Sequence, residues 1–239
     1  MPADKMIPAR DRLIVALDVA DTSAARQLVE TLGDSVTFYK IGLELFMAEG
    51  YFELLDWLVA QEKKVFVDLK FFDVPATVGS AVRQLSSRGA TFATVHGNQA
   101  IMEAAAANKG EHMKVLAVTV LTSLDRGDLD DLGFACDVSK LVASRARRAL
   151  ETGVDGVVSS GMEAKALRDE LGERLMVVTP GIRPVDNRPA DDQKRVVTPT
   201  QALQDGADYI VVGRPIRNAD DPKAAADAIQ AEIAAVYAS

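Results

Sequence analysis

The sequence predicts an α/β protein, a (β/α)8 TIM barrel folded as a single domain over residues 1–239. Three observations predict it. Eight short apolar runs alternate with segments of helical pattern, and strands that alternate with helices assemble into a parallel sheet. The length suits eight such repeats closed on themselves, with no low-complexity linker or composition break to divide the chain. The chemically capable residues also gather at the C-terminal ends of the runs, where barrels keep their sites. A doubly wound open sheet is the rival architecture, but no Gly-x-Gly-x-x-Gly follows the first run.

The strands are expected at residues 13–17, 36–41, 64–69, 91–95, 115–121, 156–159, 175–179 and 209–212. Run one ends at Leu17-Asp18, and Asp21-Thr22-Ser23 behind it suits the cap of the first helix. Asp18 reads equally as a loop residue or a ligand contact. Run two carries Tyr39-Lys40-Ile41-Gly42. A lysine there either snorkels to the surface or, as interior strand lysines do, has a polar partner.

Run three is the centre of the reading: Val65-Phe66-Val67-Asp68-Leu69-Lys70-Phe71-Phe72-Asp73-Val74-Pro75-Ala76-Thr77. It begins as a buried parallel strand and is then interrupted by charge. Regular alternation puts Asp68 and Lys70 on one face, with Cα atoms roughly 6.5 Å apart, and Val67 and Leu69 on the other. Pro75 lacks an N–H and drives Val74 toward extended geometry, so the ladder is expected to stop near Phe72, leaving Asp73 beside the Asp68/Lys70 pair. A structural ion pair is the plain reading of Asp-x-Lys. Burying three ionisable groups costs free energy that apolar side chains would not, which favours chemistry over structure.

Run four ends at Thr94-Val95-His96-Gly97-Asn98, where His96 reads as a general base or as a hydrogen-bonded structural histidine. The alanines at 104–107 are strong helix formers. Run five ends at Val120-Leu121-Thr122-Ser123, two hydroxyls suited to a ligand or to helix capping. After Thr179-Pro180-Gly181 comes the longest patternless stretch, residues 182–197, with Arg183, Arg188, Gln193, Lys194 and Arg195; loops of this length are commonly lids or binding loops, although basic loop residues are often only solvated. Thr198-Pro199-Thr200-Gln201 then reads as N-cap, N1 proline and N3 glutamine. Run eight ends at Val212-Gly213-Arg214-Pro215-Ile216. Glycine admits close backbone approach and arginine matches phosphate oxygens, in the loop where barrels often hold phosphate.

Composition bounds the function. The chain is 48% hydrophobic and 26% charged with a net charge of −8, which argues against a nucleic-acid binder but leaves room for a local phosphate pocket. One cysteine, Cys136, excludes an internal disulfide, and two histidines argue against a zinc site. Residues 1–10 hold no signal-peptide core, and no run approaches the roughly 18–20 apolar residues of a membrane span, so the expected location is the cytoplasm.

The segment Asp68-Leu69-Lys70-Phe71-Phe72-Asp73-Val74-Pro75-Ala76-Thr77 closely resembles the signature of the orotidine 5′-monophosphate decarboxylase family. The resemblance covers essentially the whole chain. It runs in the same order through Ala16-Leu17-Asp18, Tyr39-Lys40-Ile41-Gly42, Leu121-Thr122-Ser123, Thr179-Pro180-Gly181-Ile182-Arg183, Gln193 and Val212-Gly213-Arg214-Pro215-Ile216, and is similar to the shorter bacterial form. Val74 stands where isoleucine is common and Phe72 where a polar residue often sits; neither change removes a functional group.

The resemblance implies decarboxylation of orotidine 5′-monophosphate to UMP in de novo pyrimidine biosynthesis, without metal or organic cofactor, by a homodimer with shared sites. It implies that Asp18 and Lys40 hold the ribose hydroxyls, that Asp68 lies near the substrate carboxylate, and that Lys70 is the proton donor to C6. Lys40, Asp68, Lys70 and Asp73 form its Lys-Asp-Lys-Asp array, with Asp73 and Thr77 reaching into the neighbouring subunit's site. Ser123 and the Pro180 region meet the pyrimidine with Thr122 beside them, and Arg183, Gln193, Gly213 and Arg214 hold the phosphate as the seventh loop closes. Two other readings share parts of this pattern: a sister barrel with an Asp-x-Lys-x-x-Asp element that holds Mg²⁺, and a non-catalytic nucleotide-binding protein on the same fold.

Overall fold

The computed structural model describes residues 7–184 and 196–238. Eight strands, β1 (Leu13–Ala16), β2 (Phe38–Gly42), β3 (Lys64–Phe71), β4 (Phe92–His96), β5 (Lys114–Val118), β6 (Gly156–Val158), β7 (Met176–Thr179) and β8 (Tyr209–Val212), follow one another around a closed barrel. Every neighbouring pair is parallel, and β1 closes the ring on β8 with Ile14 opposite Val211. The expected fold class stands, with strand ends moved by a few residues. The fifth apolar run continues past β5 because Val120 packs into the core as loop rather than ladder.

Two apolar layers follow from strand alternation. One face of each strand meets the surrounding helices, as Val15, Tyr39, Val65 and Val67 do against side chains such as Leu54, Leu58 and Val82. The other face turns to the barrel axis and forms a separate cluster. Its centre is aromatic: Phe92 lies 4.9 Å from Phe38, 5.1 Å from Tyr209 and 5.9 Å from Phe66, centroid to centroid, in tilted or edge-on contacts. These rings stand on the N-terminal halves of their strands and fill the lower barrel. The next inward residue along β2, β3 and β4 is Lys40, Asp68 and Thr94. Polar groups therefore rest directly on an aromatic floor that closes the barrel to water from below.

Ion clusters fasten the N-terminal face. Asp11 accepts from Thr37 and Lys64 at 2.8 and 2.7 Å; Asp155 accepts from Lys109 at 2.6 Å and from the Val115 amide at 2.8 Å. Asp208 pairs with Arg168 and accepts the Val177 amide. Gly156 lets β6 pass between its neighbours, since a Cβ there would meet the Met176 carbonyl at 2.5 Å.

Sequence-level caps hold. Asp21 accepts from the Ala24 amide at 2.8 Å, and Thr198 accepts from the Gln201 amide at 3.2 Å with Pro199 behind it. Pro75 opens the helix Pro75–Ser87, with Val74 extended at φ −58°, ψ 145°. Among the described residues no helix is long and apolar enough to cross a membrane.

Candidate active site

Asp68 is the hub of the upper barrel. Its Oδ2 lies 3.0 Å from Lys70 Nζ and 3.6 Å from Lys40 Nζ, and its Oδ1 accepts from Thr94 Oγ1 at 2.9 Å. Lys40 Nζ also donates to Asp18 Oδ1 at 2.8 Å, so four side chains run Asp18–Lys40–Asp68–Lys70 in alternating charge. Burial alone would push the Asp68 carboxyl up, but the Lys40 and Lys70 ammoniums, with hydrogen bonds from Lys70 and Thr94, hold it below the ordinary carboxylate value. Burial would likewise lower Lys40, and the Asp68 and Asp18 carboxylates outweigh it, so Lys40 is raised. Gly42 leaves the space beside this pair open: a Cβ there would stand 3.2 Å from Lys40 Nζ.

Lys70 reaches Asp68 by a different route from regular alternation. β3 and β4 are in register at Phe66–Phe92 and Val67–Ala93, then slip, so that Phe71 faces Val95. Lys70 takes φ +49°, the left-handed region that a non-glycine residue enters at a cost of about 1–3 kcal/mol. Its backbone N–H is held by Thr94 Oγ1 at 3.0 Å. The strand ends at Phe71, and the chain then swings outward. Asp73 is consequently exposed and accepts the Val74 amide at 2.6 Å instead of standing beside the pair. Thr77, in the first turn of Pro75–Ser87, is exposed as well.

A cavity of about 390 Å³ opens above the floor. Asp18, Lys40, Asp68 and Lys70 form one wall; Thr122 and Pro180 lie across from them; Arg183, Gly213 and Arg214 line the side formed after β7 and β8. Ser123 is exposed and absent from the lining. Arg183 is buried, its Nη1 donating to the Ile182 carbonyl at 2.9 Å. The feet of the seventh loop are tied together, Arg183 N–H to the Val197 carbonyl at 2.9 Å and Val197 N–H to the Gly181 carbonyl at 3.3 Å. Gln193, with Arg188, Lys194 and Arg195, lies outside the described residues.

His96 packs against Phe72 with ring centroids 4.7 Å apart and planes tilted by 37°, and does not line the cavity; burial, Arg145 and Lys70 lower its pKa. Sequence reasoning passed over three site residues. Glu44 and Arg217 line the cavity, and Arg217 follows Arg214 by one turn of the short helix Arg214–Arg217. Thr94 was within reach of the period-2 rule, two residues beyond inward-facing Phe92. Among the described residues no group of three or more His, Cys, Asp or Glu side chains is placed to hold a metal ion.

The shifts carry a pH dependence. Asp68 titrates lower folded than unfolded, so its contribution to stability is complete above the ordinary value of 3.8 and is lost as pH falls through the lowered one. Lys40 is the converse: its contribution is complete below 10.5 and is lost as pH rises through its raised folded value. The Tm difference between wild type and Asp68→Asn is expected to stay constant around neutrality and to narrow as pH falls toward about 3. Parallel Tm curves down to that pH would show that the Asp68 carboxylate gains nothing from its partners.

A family model described as "Orotidine 5'-phosphate decarboxylase / HUMPS family" matches residues 11–229. A relative from Methylococcus capsulatus, named orotidine 5'-phosphate decarboxylase, is 68% identical over 237 residues, covering 99% of this chain and 98% of the relative. Another of that name, from Nitrobacter winogradskyi, is 52% identical over 227 residues, covering 95% of this chain and 94% of its own. The crystal structure of orotidine 5'-phosphate decarboxylase from Lactobacillus acidophilus matches with a TM-score of 0.82 at 36% identity, over 93% of this chain and 99% of that one. With the barrel and the alternating charge array, these matches identify the chain as a member of the orotidine 5'-phosphate decarboxylase / HUMPS family.

Proposed function

We propose that this protein decarboxylates orotidine 5′-monophosphate to UMP, that residues 1–239 act as one barrel domain, and that two copies form a homodimer. The observation that carries the reading is the Asp18–Lys40–Asp68–Lys70 array, buried at its centre and ending in an ammonium on the cavity wall. Relatives named orotidine 5'-phosphate decarboxylase, matched over 98% and 94% of their own length, support the substrate.

In this reading the phosphate lies against Gly213, Arg214 and Arg183, and Gln193, outside the described residues, is proposed as a further phosphate contact. The ribose hydroxyls meet Asp18 and Lys40. The pyrimidine lies toward Thr122, Ser123 and Pro180, with C6 at Lys70. Breaking the bond from C6 to the carboxylate releases CO2 and leaves the electron pair on C6, in the ring plane and without a conjugated sink. The Lys70 ammonium stabilises that charge as it forms and gives C6 a proton; the resulting amine regains one from solvent. Asp68, held by donors from three strands, fixes that ammonium. Arg214 grips a part of the substrate remote from C6, so its binding energy can serve closure and alignment.

Asp73 and Thr77 are assigned to the partner's site. They stand on the same outward segment as Phe72 and Val74, whose large apolar side chains are 65% and 63% exposed, a surface that a second copy would cover. A lone cysteine suits the reducing cytoplasm as the setting.

CO2 release from orotidine 5′-monophosphate tests the reading, and turnover is expected to survive exhaustive EDTA. The Mg²⁺-holding sister barrel predicts abolition by chelation and recovery with Mg²⁺. Against it stands Asp68, whose carboxylate faces two ammoniums that repel a divalent cation.

The shared site has its own test. Lys70→Ala and Asp73→Ala homodimers are each expected to be nearly inactive, and mixing them is expected to restore activity. One site of each heterodimer then carries both lesions and the other neither. No recovery after verified subunit exchange would place the whole site within one chain.

A further inference from the structure

Thr94 is fully buried on β4 and absent from the cavity lining, yet its hydroxyl serves two groups of the charge array. It lies 3.0 Å from the Lys70 backbone nitrogen and 2.9 Å from Asp68 Oδ1. An amide can only donate, so the hydroxyl accepts from Lys70 and its single proton goes to the carboxylate. This hydroxyl stands at the place where β3 slips against β4 and Lys70 enters the left-handed region. Nothing in the sequence of β3 favours that conformation at a lysine; the hydrogen bond from across the strand pair does.

We propose that Thr94 is a positioning residue for decarboxylation, its hydroxyl stapling the strained end of β3 so that the Lys70 ammonium and the Asp68 carboxylate are held in one fixed geometry. The proposal rests on the assignment of Lys70 as proton donor. Thr94 acts through its neighbours, since Lys70 and Asp68 line the cavity and Thr94 does not. Removing its hydroxyl would free the Lys70 backbone to relax toward regular extended geometry and would leave one lone pair of a buried carboxylate unmatched.

The hydroxyl also belongs to the balance that sets the protonation of Asp68. That carboxylate faces Lys40 from β2, Lys70 from its own strand and Thr94 from β4; Asp18 acts on it through Lys40, and the Tyr51 hydroxyl, bonded to the Ile41 carbonyl, feels its charge. Thr94 is the neutral member of this set that bonds the carboxylate, and its bond favours the ionised form.

The test compares Thr94→Val, which keeps shape and loses the hydroxyl, with Thr94→Ser, which keeps the hydroxyl. Thr94→Val is expected to lower kcat on orotidine 5′-monophosphate by about 10- to 100-fold with little change in KM, the size of effect that small misplacements of reacting groups produce. Thr94→Ser is expected to restore kcat. Should Thr94→Val fail to fold, Thr94→Ala against Thr94→Ser makes the same comparison. A hydroxyl-free variant with wild-type kcat would overturn the proposal, as would a serine variant as impaired as valine. Wild-type protein that releases no CO2 would instead overturn the functional assignment beneath it.

Discussion

A carboxylate in the barrel interior, balanced by two ammoniums, is the constraint that the rest of the structure answers to. Taking the Asp68 charge out of water costs several kcal/mol, and the attraction of Lys40 and Lys70 offsets that only while both stay in place. Lys40 needs Asp18 on its other side, and Asp68 needs Thr94 for the oxygen that the lysines leave. Removing one member uncovers a buried charge on the next. A fold selected only for stability would replace such a chain with apolar side chains. Its retention fits a site where an ammonium must be presented to a developing anion.

The barrel supplies what this arrangement requires. Phe38, Phe66, Phe92 and Tyr209 fill the interior below, so the polar layer has one open side, toward the cavity. Ion clusters around Asp11, Asp155 and Asp208 fasten the opposite rim, away from the chemistry. Four parallel strands and the turn after β1 contribute to one small volume: Asp18 past the end of β1, Lys40 from β2, Asp68 and Lys70 from β3, Thr94 from β4, and Gly213 at the end of β8. The cationic side with Arg183 and Arg214 is built on different strands from Lys70, which separates the grip on the substrate from the reacting atom.

Much of this was legible in the sequence because it is governed by local rules. Apolar runs of strand length located all eight strands; Asp21 and Thr198 announced helix starts; Pro75 set the end of β3 to within a residue. The inward stacking of Lys40 on Phe38 and of Asp68 on Phe66 follows from a period of two. The route by which Lys70 reaches Asp68 was not legible, because the slip between β3 and β4 and the positive φ depend on Thr94, some two dozen residues away in sequence. Asp73 was expected beside the pair and stands exposed, since the chain leaves the barrel once the ladder ends at Phe71. Arg217 was missed for the opposite reason: basic residues just after a strand are common, and only the turn of Arg214–Arg217 aims this one at the cavity.

The central claim is that the Lys70 ammonium both balances the developing charge and delivers the proton. Single-turnover decarboxylation by Lys70→Ala, in protein shown to fold and to bind UMP, tests it most directly. The account predicts a loss of many orders of magnitude, beyond the roughly 10²–10⁴ typical of one general acid, because the cation and the proton disappear together while Asp68 still faces the substrate carboxylate. A variant retaining a tenth of the wild-type rate would contradict it.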